Sequence, residues 1–192
     1  HTNQVHPPSP WWSEGSRMDE QIRYVGDRDP RFVTVRRGGV LQDTDHRLLA
    51  LWAADCAEHV LHLFEGEKPD DDRPRRAIER ARAWSRGEIT MSQARLASSV
   101  AHAAARETSG AAREAARAAG HAVAVAHMAD HELGASAYGI RAVRAASPEE
   151  GRSEAGRLEC QWQRAQLPGA IRELVLDDQR LRNRKFWSLF EL

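Results

Sequence analysis

Residues 44–65, TDHRLLALWAADCAEHVLHLFE, place Leu48, Leu49, Trp52, Cys56, Val60 and Leu63 at steps of one, three or four, with no glycine or proline to interrupt them. That is the spacing of one face of an α-helix, and Thr44 or Asp43 stands where an N-cap belongs. Gly66 and Pro69 end the run. The same reading extends along the rest of the chain. Pro74 suits the first turn of a second helix that carries Ile78, Ala81 and Trp84 to a stop at Gly87. A third helix is expected from Thr90 to Glu107, with Ser92 as a candidate cap and Leu96, Val100 and Ala103 on its inward face. From Ala111 to about Ala146 alanine dominates, and Gly120, Gly134 and Gly139 interrupt it. Each interior glycine costs a helix about 1 kcal/mol relative to alanine. The segment therefore either breaks near Gly120 or holds its glycines where another helix presses on the backbone. Pro148 opens a helix that ends before Pro168, and a last one from Gly169 carries Ile171, Leu174, Val175, Leu176 and Leu181 toward Phe186, Trp187, Leu189 and Phe190. Residues 40–192 thus read as an all-α domain, a single compact Ala-rich bundle of six or seven helices.

Upstream the pattern is lost. Residues 18–39 read as an irregular arm in which Phe32, Val33 and Val35 make at most one brief strand before Gly38-Gly39. Residues 1–17, with three prolines and the Trp11-Trp12 pair, read as a flexible leader or an added extension, and Met18 as the native start.

Composition narrows the function classes. Among 192 residues, 28 basic and 28 acidic side chains cancel, and 31 residues are alanine. Zero net charge argues against a general nucleic-acid binder. No apolar run approaches 18 residues, so no membrane helix is expected, and the start lacks a secretory signal pattern. Cys56 and Cys160 lie far apart with no C-x-x-C spacing, which gives neither a disulfide framework nor a zinc ribbon and suits a reducing cytoplasm. There is no G-x-S-x-G, no P-loop and no G-x-G-x-x-G. The chain is read as a binder, with an enzyme as the alternative, no catalytic residue assigned and no cofactor expected.

Seven of the nine histidines fall inside expected helices or their first turns. Asp55 and His59 stand one turn apart beside Trp52 and Cys56. His127 and His131 stand one turn apart on the Ala-rich segment, with Tyr138 about 20° from His131 around the same helix. A buried polar group must be hydrogen-bonded or ligated, because leaving it unsatisfied costs about 1–3 kcal/mol. If the two helices pack face to face, Trp52, Asp55, His59, His127, His131 and Tyr138 line a pocket for a small-molecule ligand. Asp55, Cys56, His59, His127 and His131 are then the weaker alternative of a metal set. Its segment HMADH lacks the glutamate that a zincin carries after its first histidine. An acidic stretch, Glu65, Glu67, Asp70, Asp71 and Asp72, abuts an arginine-rich face from Arg73 to Arg86. At the end, RLRNRKFW mixes cations with Phe186 and Trp187. It reads as an amphipathic terminal helix with its aromatics docked and its arginines in water, rather than as a nucleic-acid site.

Several strings carry a resemblance. DHRLLALWAADCAEHVLHLFE (45–65), DDRPRRAIERARAW (71–84), AGHAVAVAHMADHELGASAYGIRAV (119–143) and WQRAQLPGAIRELVL (162–176), with the terminal RLRNRKFW, resemble the immunity-protein-five-like domain of bacterial immunity proteins, over about residues 30–190. The motif positions are Trp52, Asp55, Cys56, His59, Arg73, Pro74, Trp84, His121, His127, His131 and Tyr138. The resemblance implies an all-α domain that neutralises a toxin of a polymorphic or contact-dependent system, and it transfers no catalytic residue. A protein toxin is the implied partner, and the acidic stretch 65–72 the natural face toward a basic one. The alternative is a small-molecule or metal-binding enzyme that uses the His/Asp cluster.

Overall fold

The computed structural model describes residues 28–191, in two units that divide between Gln42 and Asp43. The expected leader, Met18 and the first part of the arm lie outside the described residues. In the described part of the first unit, the expected strand gives way to two 3-10 turns, Pro30–Phe32 and Val35–Arg37. Asp29 caps the first of them by accepting from the Arg31 amide at 2.9 Å, and Pro30 presets the backbone for a turn. What remains of strand pairing is an isolated bridge between Thr34 and Leu41.

The second unit is helical throughout. We label its helices α1 (Asp43–Val60, resumed after Leu61 as one more turn, His62–Glu65), α2 (Arg73–Ser85), α3 (Met91–Arg106), α4 (Gly110–Ala124), α5 (Glu132–Ala145), α6 (Arg152–Ala165) and α7 (Gly169–Arg182). Among the described residues there is no strand, and no helix is long and apolar enough to cross a membrane. Pro74 takes the first turn of α2 as expected. α3 is capped by Thr90 rather than Ser92. The Gln93 amide donates to Thr90 Oγ1 at 3.2 Å and the Thr90 amide to Gln93 Oε1 at 2.9 Å, a reciprocal capping box.

α4 packs against α1, α2, α3 and α5. Ala112, Ala115, Ala116, Ala118, Ala119, Gly120 and Ala122 are all buried along it. Side chains this short let neighbouring backbones come close, and that inverts the expected orientation of α3. Leu96 is 67% exposed and Val100 is exposed, whereas Ala94, Ser98, Ala101, Ala104 and Ala105 face inward. The hydroxyl of Ser98 donates to the Gly120 carbonyl at 2.9 Å, a contact that a leucine there would prevent.

The Ala-rich segment does not break at Gly120. α4 continues to Ala124, and the break falls at residues 125–131, where Met128 is extended and Ala129–His131 form a 3-10 turn. Carbonyls released by the break find partners on other helices. That of Val125 lies 2.6 Å from His46 Nε2, and that of Asp130 accepts from Arg182 at 2.9 Å. These contacts satisfy groups that a continuous helix would have bonded internally. His127 and His131 therefore do not share a helix, as the i, i+4 reading expected. Both lie within the break, and Tyr138 alone of that stripe lies within α5.

Candidate functional site

The sequence-derived candidates fall into separate neighbourhoods, each with its own partners. The first is imidazole-rich. His121 on α4 and His131 at the entrance to α5 bring their Nδ1 atoms to 3.0 Å, so one ring donates and the other accepts. His102 on α3 meets His121 edge-on at 5.1 Å between ring centroids, Tyr138 stacks on His121 at 5.1 Å, and His127 lies 5.7 Å from His131. Two glycines make the room. A Cβ on Gly120 would stand 2.7 Å from the His102 ring, and one on Gly134 would stand 2.5 Å from His121 Nδ1. Burial holds both inner imidazoles neutral, reinforced for each by the neighbouring His131 and by Arg117. His102 is pushed down to about 4 and His121 to about 3. The Nδ1 of His102 is buried without a hydrogen-bond partner.

The second neighbourhood holds His59, whose Nδ1 lies 2.7 Å from Glu159 Oε1 and whose ring stacks on Trp162 at 3.5 Å. Burial raises the Glu159 carboxyl, with the His59 contact opposing the rise. Asp55 is engaged by Arg82 at 2.9 Å, and Arg82 also bridges to Glu58. Cys56 is buried, and burial, with Glu159 and Asp55 nearby, drives its thiol well up, away from the thiolate that a nucleophile or metal ligand needs. Trp52 is buried apart from these, its indole donating to the Gln163 carbonyl at 2.8 Å.

α1 and α5 do pack together, as the pocket reading required. They meet through small groups, with Gly139 facing the Cys56 carbonyl and Val60. The polar residues are turned to other helices: Asp55 to α2, His59 to α6, and His131 to α4. Among the described residues, no group of three or more histidine, cysteine, aspartate or glutamate side chains is arranged to hold a metal ion. Asp55, Cys56, His59, His127 and His131, the weaker metal alternative, are thus not gathered into one such group.

The acidic stretch is largely neutralised in place. Glu65 pairs with Arg75 at 2.6 Å, Asp71 with Arg73 at 2.7 Å, and Asp72 with Arg76 at 3.3 Å. Glu67 and Asp70 stay exposed and unpaired. The reading of RLRNRKFW also changes. Arg182 is not in water: it joins the buried Asp178 at 2.6 Å and the buried Glu132 at 3.4 Å. Burial, with Asp178 alongside, raises the Glu132 carboxyl well above its usual range, against the pull of Arg182. Sequence spacing missed this trio because its members are 46 residues or more apart, apart from the Asp178–Arg182 pair. His102 was missed for the same reason, although the adjacent Gly120-His121 pair was a usable sign that a ring approaches this backbone.

A small-residue helical bundle that buries neutral imidazoles against glycines is the class of protein seen here. The chain belongs to the Imm-5 like putative immunity protein family, whose sequence model matches residues 39–170. No curated protein and no solved structure matches it.

Proposed function

We propose that this chain is a cytoplasmic bacterial immunity protein, a non-catalytic binder that neutralises a protein toxin. The family match over residues 39–170 carries the reading. The side-chain chemistry supports it: the Cys56 thiol is held protonated, the imidazoles of His121 and His131 spend their Nδ1 atoms on each other, and Asp55 is committed to Arg82. The enzyme alternative required Asp55, His59, His127 and His131 to face one reactant, and each side has other partners. Within the acidic stretch 65–72 the two unpaired carboxylates, Glu67 and Asp70, are the part available to steer a basic toxin. Two charges act on the association rate more than on the final affinity.

The test is protection of cells that express a candidate toxin, a basic nuclease first, together with calorimetry on the purified pair. Wild type is expected to protect and to bind with one-to-one stoichiometry. Glu67→Lys with Asp70→Lys is expected to slow association several-fold at low salt and to leave dissociation near wild type. Protection without binding, or turnover of a toxin product, would remove the binder reading.

A further inference from the structure

After α7 the chain passes through a 3-10 turn, Arg184–Phe186, and then through two consecutive non-glycine residues in the left-handed region, Trp187 at φ 57° and Ser188 at φ 54°. Clashes of the β-carbon make that conformation costly, and it persists only where surrounding contacts impose it. Here they do. The Ser188 amide donates to the Asn183 carbonyl at 2.9 Å, the Phe190 amide donates to Asn183 Oδ1 at 3.0 Å, and Arg164 donates to the Phe190 carbonyl at 2.7 Å. Leu189 and Phe190 are buried, so the turn is pinned on both sides of its strained pair.

The strain presents Trp187. The residue is 51% exposed, yet its ring is not loose: the Arg141 guanidinium lies 4.1 Å from the ring centroid, and Tyr138 meets it edge-on at 5.7 Å. Arg141 is itself held by Glu114 at 3.0 Å. A large aromatic side chain, fixed before binding and half in water, is the kind of residue that concentrates binding energy at protein interfaces. Beside it Arg184 and Lys185 are exposed and have no carboxylate partner, whereas the neighbouring Arg180 is paired with Asp177 and Arg182 with Asp178 and Glu132. Two free cations are too few for a surface that tracks nucleic-acid phosphates, where six to ten contacts are usual. They suffice to match carboxylates around an apolar recess on a protein.

We propose that Trp187, held by Arg141 and Tyr138 and flanked by Arg184 and Lys185, is the anchor by which this chain docks in an apolar recess of its toxin rimmed by carboxylates, apart from the basic surface that Glu67 and Asp70 steer. The inference rests on the immunity reading. It places the binding energy on the C-terminal turn and not in the 65–72 stretch.

The test uses the full chain, with the purified toxin domain against which it protects cells as probe. Trp187→Ala is expected to weaken binding at least about 30-fold, and Arg184→Glu with Lys185→Glu about tenfold with a shallower salt dependence. The charge reversal lies at two exposed residues, so its thermal midpoint should match wild type, and it decides the matter alone if Trp187→Ala fails to fold. Binding of both variants within twofold of wild type overturns the anchor while leaving the immunity reading intact. A wild-type chain that ignores the toxin overturns both. Tight, salt-sensitive binding of a labelled 20-base-pair duplex, abolished by the charge reversal, would transfer this surface to nucleic acid and end the proposal.

Discussion

A β-carbon added at Gly134 would stand 2.5 Å from Nδ1 and 2.7 Å from Cγ of His121. Because Cγ is the root of the imidazole, rotating the ring gives no relief, and either the side chain or a helix must shift. The same addition at Gly120 meets the far end of the His102 ring, which can swing away more cheaply. Gly134→Ala is therefore expected to destabilise the chain by about 1–3 kcal/mol, the usual cost of overpacking, read as a lower urea midpoint. The cause can be isolated, since His121→Ala removes the clashing ring. The double variant should recover most of the Gly134→Ala loss relative to His121→Ala alone, a coupling between touching residues. Strict additivity would mean that Gly134 serves something other than His121.

The same logic governs whole helices. On α3, which packs on the Ala-rich α4, Leu96 is 67% exposed while Ala101 is fully buried. Leu96→Glu should then change stability by no more than about 0.5 kcal/mol, as ordinary surface substitutions do. Ala101→Val, which looks conservative, should cost about 1–3 kcal/mol by forcing the two backbones apart. Denaturant unfolding of the two variants separates an alanine-lined interface from a leucine-lined one, and the reverse order would sink this account. The contrast shows what was legible beforehand. Helix existence and class were readable, because spacing and the stops at Gly66, Gly87 and Pro168 depend on the local chain. The inward face was readable on α1, where Leu49, Trp52, Cys56 and Val60 are buried as expected, but not on α3, because a periodicity rule ranks leucine above alanine and this part of the core selects for closeness. The break at 125–131 was equally invisible: it is stabilised by His46 and Arg182, at the far ends of α1 and α7. The candidate site suffered most. Asp55, His59 and His131 each find a partner, but the partners, Arg82, Glu159 and His121, come from helices that spacing cannot align.

At the scale of the whole molecule these buried groups make folding stability depend on pH, with opposing signs. His102 and His121 titrate near 4 and 3 in the folded chain, whereas an unfolded histidine titrates near 6.5. Between those values the unfolded state binds more protons, so both imidazoles withdraw stability as pH falls through 6.5 toward 4. Glu132 and Glu159 act the other way: their carboxyls are raised by burial, the folded state takes up protons more readily than the unfolded, and acidification adds stability until about pH 4.5. The net curve alone therefore cannot report the imidazoles, but a difference between variants can. His121→Gln keeps a polar side chain over Gly134, faces the same His102, His131 and Arg117, and carries no proton to gain. The stability advantage of wild type over His121→Gln should shrink steadily from pH 6.5 to about 4. Its slope is at most about 1.4 kcal/mol per pH unit, the limit for one proton. Urea midpoints of the two proteins across that range measure the slope directly. A constant difference would mean that the His121 ring takes up its proton as easily in the folded chain as in the unfolded one, and that the glycine-lined seat between α4 and α5 does not exclude charge.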